Sequence, residues 1–342
     1  MPRRAFIIGG MGQIGRATAA RLIDDGWQVV LSSRGRRPAD KGLIARGAEI
    51  VILDRDQPGA LAAALAGGAD ALVDTVAYDE SHADQLLALQ GDVGVLVVVS
   101  SASVYSDSEG RTLDEARQNG FPDFPEPIGE AQTTVEPGPE TYSTRKVALE
   151  RRLLDHATTP VGILRPCAIH GLHSTHPREW WFVKRMLDGR AVIPLAYGGR
   201  SLFHTSAVAN IAAVTALALE QPGACVLNVG DPDVLTVAEI GEEIGRRLGW
   251  TGRFELFEGG HPNYIGHTPW STPAPFTLDL RAAEALGYRP ATTYRGAAGA
   301  VCDWLKGTAV DEDWKARFPI LAGYPINLFD YDGEDKALAQ LA

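Results

Sequence analysis

Ala5-Phe6-Ile7-Ile8-Gly9-Gly10-Met11-Gly12-Gln13-Ile14-Gly15 decides how this chain is read. Ala5 to Ile8 is a short apolar run that reads as a buried strand. Gly9, Gly12 and Gly15 then form a GxxGxxG, and a helical pattern continues through Leu22 and Ile23. Glycines allow a tight turn without side chains. The backbone N–H groups at a helix start, here Gln13, Ile14 and Gly15, are then free to meet a pyrophosphate. A plain strand–helix turn is the simpler alternative. Position after an N-terminal strand and before an amphipathic helix favours dinucleotide binding.

Outward from that loop, strands and helices alternate. Gln28 to Leu31 reads as a second strand, ending in Ser32-Ser33-Arg34. NAD enzymes usually place an acid here to bond the ribose 2′-OH. Ser33 and Arg34, with Arg36 and Arg37 close by, favour the 2′-phosphate of NADP instead; NAD stays open as the second choice, and a solvated basic loop is the plain alternative. Glu49 to Leu53 is a third strand, with Asp54 at its end placed to accept from an adenine amino group. Residues 59–66 read as a helix, and Ala71 to Val76 as a fourth strand delivering Ala77 and Tyr78 near the cofactor. Asp84 to Leu89 is a further helix, and Gly94 to Val99 is the most apolar strand. This alternation predicts an α/β fold with a doubly wound parallel sheet and ligand at the strands' C-terminal ends.

Ser100-Ser101-Ala102-Ser103-Val104-Tyr105 follows that strand. Its hydroxyls stand where such a fold does chemistry, although at Ser100 satisfying turn groups is an equal explanation. Residues 106–141 are acidic and proline-rich, which suits a lid or an irregular segment. They lead to Tyr142-Ser143-Thr144-Arg145-Lys146 at the start of a helical run. Tyr142 and Lys146 are four apart, on one helix face. An ammonium beside a phenol is expected to lower the tyrosine's pKa towards neutrality and fit it for proton transfer.

Bulk properties bound the function. At 342 residues the chain can build a full core and two lobes. A net charge of -11 argues against a nucleic-acid or anionic-membrane surface, without excluding a local basic pocket. The three cysteines, Cys167, Cys225 and Cys302, form no CxxC and suit a reducing compartment. The apolar run behind Met1-Pro2-Arg3-Arg4 breaks at Gly9-Gly10, short for a signal peptide. No apolar run is long enough to span a membrane. The expectation is a cytoplasmic protein acting on a small molecule, with a homodimer compatible.

In order, these motifs resemble an extended short-chain dehydrogenase/reductase of the NAD-dependent epimerase/dehydratase superfamily. The resemblance runs over about residues 5 to 305. It includes Leu164-Arg165-Pro166 with Ile169-His170-Gly171, which is similar to the family's Arg-Pro-x-x-x-Tyr-Gly with histidine for tyrosine. Arg200 to Ala209 and Asn228-Val229-Gly230 are similar to two later motifs. The resemblance implies Tyr142 as acid/base, Lys146 lowering its pKa and bonding the nicotinamide ribose, Ser101 bonding the substrate oxygen, and Pro166 to Ile169 flanking the nicotinamide. Ala102-Ser103 replaces the Asp-Glu of the dehydratase branch, which argues against 4,6-dehydration. Arg178-Glu179-Trp180-Trp181-Phe182 lacks an asparagine common in sugar-nucleotide enzymes. The chain looks more like an atypical branch that includes the chloroplast stem-loop-binding proteins, whose plant members lack the Tyr/Lys pair. A non-catalytic dinucleotide-binding or RNA-binding role is therefore the rival reading.

The predicted organisation is a dinucleotide-binding domain over 1–170, joined again by 204–228. A smaller α+β substrate lobe is expected from 171–203 and 229–342. Ser103, Trp180, Trp181, Arg200 and His204 are candidate substrate contacts, with core packing the weightier alternative for the tryptophans. His170, His173 and His176 are three apart but lack an acidic partner at ligand spacing, so no metal is expected. Thr236 is a candidate N-cap. Residues 261–275 form an irregular loop that would close over substrate, and the tail from Asp311 is expected to pack on the lobe or on a partner subunit.

Overall fold

The computed structural model describes residues 2–221, 223, 225–309 and 313–341. Asp311, where the predicted tail begins, lies outside the described residues. In chain order the elements begin with β1 (Arg4–Ile8), α1 (Gln13–Asp24), β2 (Gln28–Ser33), α2 (Lys41–Ala45), β3 (Glu49–Ile52) and α3 (Ala60–Ala64). They continue with β4 (Ala69–Asp74), α4 (Glu80–Ala88), β5 (Val93–Val99), α5 (Ala116–Asn119), α6 (Tyr142–His156), β6 (Val161–Pro166) and β7 (Ala168–His170). Then come α7 (Trp180–Leu187), β8 (Val192–Leu195), β9 (Thr205–Ala207), α8 (Val208–Leu219), β10 (Cys225–Val229), α9 (Val237–Leu248) and β11 (Arg253–Leu256). The last are α10 (Arg281–Ala285), α11 (Tyr294–Ala309), α12 (Trp314–Arg317), α13 (Pro319–Ala322) and α14 (Tyr331–Ala339).

Two units result, the first from Met1–Cys167, Val208–Gly230 and Leu278–Ala291. Its parallel sheet has the order β3-β2-β1-β4-β5-β6-β10. The strand order reverses between β1 and β4, the switch point at which doubly wound sheets open a crevice. Alternation along the strands sends Phe6, Ile8, Leu72, Leu96, Val98 and Ile163 to one face. There they share a buried cluster with Leu86 of α4 and Leu149 and Leu153 of α6. Each such side chain contributes about 1.5–3 kcal/mol on burial. The segment 278–291, expected with the substrate lobe, belongs to this unit. Asp279 N donates to Ile128 O at 2.8 Å, and α10 packs on β10.

The second unit comprises Ala168–Ala207, Asp231–Thr277 and Thr292–Ala342. It holds two small parallel pairs, β7 with β9 and β8 with β11. Residues 204–207, expected to return to the large sheet, pair with β7 instead; the return begins with α8. Thr236 caps α9 in a reciprocal capping box with Glu239. The described tail is tied into this unit by buried Arg185, which donates to Leu328 O and Glu334 Oε1, both at 2.5 Å. Among the described residues no helix is long and apolar enough to cross a membrane.

Candidate active site

The glycine loop is built so that nothing else fits. Gly9 has φ +77°, in the left-handed region that disfavours a side chain. A Cβ on Gly15 would stand 2.5 Å from Gly9 O and 2.6 Å from the Gly10 Cα. Helix α1 therefore starts in contact with the loop. Its N-cap, Gly12, supplies no side-chain acceptor, so the first-turn N–H groups remain available to an anion. Ile14 is buried beneath them, and Gln13 Oε1 is buried without a hydrogen-bond partner.

A cavity of about 430 Å³ opens beside this loop. Gly9, Met11 and Gly12 line it on one side, Ser33, Arg34, Arg36 and Arg37 at the end of β2, and Asp54, Arg55, Asp56 and Val76 opposite. Arg37 Nη1 and Arg16 Nε both donate to Met11 O, at 3.3 and 3.2 Å. Arg16 is balanced by Asp40. Burial lowers the Arg37 pKa, and the charges of Arg16 and Arg34 lower it further. Among the described residues Arg34, Arg36 and Arg37 form no ion pair, so this rim carries unbalanced positive charge. Asp54 Oδ1 accepts from Asp56 N at 3.2 Å. Sequence reading missed the pair behind this wall. Arg55 Nη1 donates to Asp74 Oδ2 at 2.6 Å, and Asp74 Oδ1 accepts from Val76 N. Only strand pairing brings those positions together.

The Ser101, Tyr142 and Lys146 side chains gather near the end of β5. Thr141 caps α6 in a capping box with Thr144, and Asp114 accepts from Ser143 N at 2.8 Å, so Tyr142 opens the helix in a fixed frame. Lys146 is buried and donates to Ala77 O at 2.6 Å and Val99 O at 2.9 Å. Its ammonium lies 5.7 Å from the Tyr142 ring centre. Burial pushes the Lys146 pKa down to about 8, although Asp74 and Glu150 oppose this. Burial likewise pushes the Tyr142 phenol up to about 12, against a hydrogen bond with Ser101. The shift is opposite to the lowering expected from the Tyr/Lys spacing. Spacing places the ammonium on the right face, but two of its three N–H groups go to carbonyls and desolvation of the phenol wins.

Of the neighbouring serines, Ser100 is buried with no partner for its Oγ. Ser101 Oγ accepts from Ser103 N at 3.1 Å. Ser103 faces α6: buried Ser143 Oγ donates to its carbonyl at 2.8 Å and lies 3.0 Å from its hydroxyl. Pro166 ends β6. Tyr105 Oη donates to Asn228 Oδ1 at 2.6 Å, and the Arg165 guanidinium sits 5.0 Å from the Tyr105 ring centre while pairing with Glu150. These motif residues frame the sheet rather than face the cavity.

In the second unit, Trp180 and Trp181 are only 3% and 1% exposed and belong to its core with Phe182 and Trp270. They are not pocket lining, because α7 buries most of its circumference. His204 is buried too, its Nε2 2.8 Å from Asp231 O, and burial lowers its pKa. It braces a backbone turn. Arg200 is exposed and pairs with Glu258 at 3.0 Å. Ile169 lies on β7 opposite Ser206. His170 bonds Asp231 at 2.6 Å, and His176 bonds Tyr324 Oη at 2.7 Å. Each of these two histidines is thus committed to a protein partner.

The fold and the glycine loop define a dinucleotide-binding protein of the doubly wound α/β class. The chain belongs to the NAD dependent epimerase/dehydratase family, whose model matches residues 5–230. Among solved structures it is similar to a UDP-glucose 4-epimerase from Stenotrophomonas maltophila with bound NAD and formylated UDP-arabinopyranose. That likeness has TM-score 0.69 and 19% identity, covering 90% of this chain and 99% of that one. It is also similar to the Thermus thermophilus UDP-glucose 4-epimerase with NAD, with TM-score 0.65, 17% identity and coverage of 90% and 100%. A dTDP-glucose 4,6-dehydratase from Bacillus anthracis with NAD gives TM-score 0.65, 16% identity and coverage of 90% and 97%. No curated protein matches the chain significantly.

Proposed function

We propose that this protein is an NADP-preferring oxidoreductase or epimerase acting at a carbinol or carbonyl carbon of a small polar or sugar-like molecule. The observation that carries this reading is the meeting of Ser101, Tyr142 and Lys146 beside Ala77, one residue beyond the cavity wall at Val76. The bound nicotinamide would supply or accept the hydride. The uncapped start of α1 fits a pyrophosphate, and the lack of side chains at Gly9 and Gly15 lets loop and helix pack closely enough to present it. Arg34, Arg36 and Arg37 fit a 2′-phosphate, and Asp54 an adenine amino group.

Tyr142 then handles the proton. With its pKa near 12 the phenol is protonated at neutral pH, ready to donate to a carbonyl oxygen as negative charge develops there. Ser101 holds the same oxygen. In the oxidising direction the phenol must first lose its proton, and the Lys146 charge favours that loss. Replacing Tyr142 by Phe tests the assignment. Turnover should fall by orders of magnitude while NADPH binding stays nearly intact. Unchanged turnover sinks it.

A further inference from the structure

Arg145 and Lys146 are consecutive on α6, and they grip consecutive residues beyond β4. Lys146 holds Ala77 by its carbonyl, at 2.6 Å. Arg145 holds Tyr78 by its hydroxyl, its Nη2 donating at 2.7 Å. Arg145 Nη1 donates to Pro139 O at 3.0 Å, and Arg145 forms no ion pair among the described residues. The Tyr78 backbone is pinned as well, its N–H donating to His82 Nδ1 at 2.9 Å. The ring so fixed lies against Tyr142, with centroids 5.6 Å apart and planes tilted by 53°.

Tyr78 is 37% exposed, so core packing gives no reason to fix it at three points. A tilted ring pair is worth about 0.5–1.5 kcal/mol, and a guanidinium over an exposed ring about 0.5–1 kcal/mol. Together these can hold a surface tyrosine in one rotamer. The ring it presents covers a flank of the Tyr142 ring.

We propose that Tyr78, anchored by Arg145, is a positioning residue for Tyr142, its ring forming the wall that keeps the phenol on Ser101 and water away from it. The proposal rests on the reading of Tyr142 as the proton carrier. Three groups bear on the Tyr142 phenol, Ser101 through its hydrogen bond, Tyr78, and Asp114 of the preceding loop, while the Lys146 ammonium one helical turn on lies 5.7 Å from the ring centre. Tyr78 adds to the burial that raises the phenol and acts on it electrostatically in the same direction.

The test needs no substrate. A fluorinated tyrosine placed at position 142, whose phenol ionises in a milder pH range, gives one ¹⁹F resonance to titrate in the full-length protein. Tyr78→Ala should lower the midpoint by about one pH unit as water reaches the phenol, and enlarge the H₂O/D₂O isotope shift. Tyr78→Phe keeps the ring and should stay closer to the parent midpoint than to the Ala variant. An unmoved midpoint in folded Tyr78→Ala, shown by an unchanged thermal transition, overturns the proposal. So does a Phe variant as low as the Ala variant, since the hydroxyl rather than the wall would then act. The catalytic reading fails separately, on turnover of Tyr142→Phe.

Discussion

Lys146 Nζ donates to the carbonyl oxygen of Ala77 at 2.6 Å, joining α6 to the end of β4. With Val99 O as second acceptor, two strand ends are bridged by one buried cation. The geometry orients Lys146 along the sheet edge, and it explains why the ammonium does not act more strongly on Tyr142.

That buried charge has a pH signature. Folding lowers the Lys146 pKa to about 8 from an ordinary 10.5. Between those values the unfolded chain binds more protons than the folded one, so stability rises with pH across that window. Urea unfolding of wild type and Lys146→Met at pH 7.5 and 10 measures it. Wild type should gain about 1–3 kcal/mol relative to the variant on going to pH 10. A constant difference between the two proteins would place the lysine in contact with water.

Gly15→Ala should destabilise the fold by about 1–3 kcal/mol, because the added Cβ meets backbone at 2.5 Å and backbone cannot rotate away. NADPH binding should be lost with it. Gly91→Ala is the control: nothing stands within 4 Å of its Cβ position, so denaturation and cofactor titration should both stay near wild type.

The parts of this molecule that follow from neighbours in sequence were legible in it. The glycine loop, the helix opening at Tyr142 and the Thr236 cap are set by a few adjacent residues, and the structure places all three as the sequence predicts. Pairings across the fold were not legible. His170 meets Asp231 across 61 positions, and Arg55 meets Asp74 across 19. The Tyr142 pKa shows the same limit within a correctly read element. Spacing reveals the nearby ammonium, while burial of the phenol, with Tyr78 and Asp114 adding to it electrostatically, raises the pKa, and no helical period reports these. Trp180 and Trp181 open an unbroken apolar run, Trp180 to Val183, so periodicity could not separate pocket from core.

His170 and Asp231 make a second pH-dependent pair. Burial disfavours the His170 cation, but the Asp231 charge and hydrogen bond win and raise its pKa; Asp231 is held down to about 2. The histidine's contribution is whole below about 6.5 and is lost as pH rises through its raised pKa. The aspartate's is present above about 3.8 and is lost as pH falls towards 2. Asp231→Asn should therefore cost about 3–5 kcal/mol at pH 5.5 and less as pH rises through the raised His170 pKa. Urea unfolding across about pH 5.5 to 9 checks this; a cost that never falls would mean that the imidazole does not change charge across that range.

Arg37 carries the cofactor choice. Its guanidinium is fixed on Met11 O at the edge of the glycine loop, between Arg16 and Arg34, and among the described residues Arg16 alone of the three has an ion-paired acid. Three cations so placed repel one another, which an arriving phosphate dianion would relieve. A hydrogen bond to a charged group is worth about 1.5–3 kcal/mol, so Arg37→Ala should weaken NADPH binding about 10- to 100-fold. NADH carries no 2′-phosphate and should bind the variant almost as it binds wild type. The preference should also shrink as salt rises, because the rim is open to solvent. Fluorescence titrations of both cofactors at two ionic strengths separate these effects. An equal loss for NADPH and NADH would make Arg37 a brace for the Met11 turn, and would move the NADP preference onto Arg34 and Arg36.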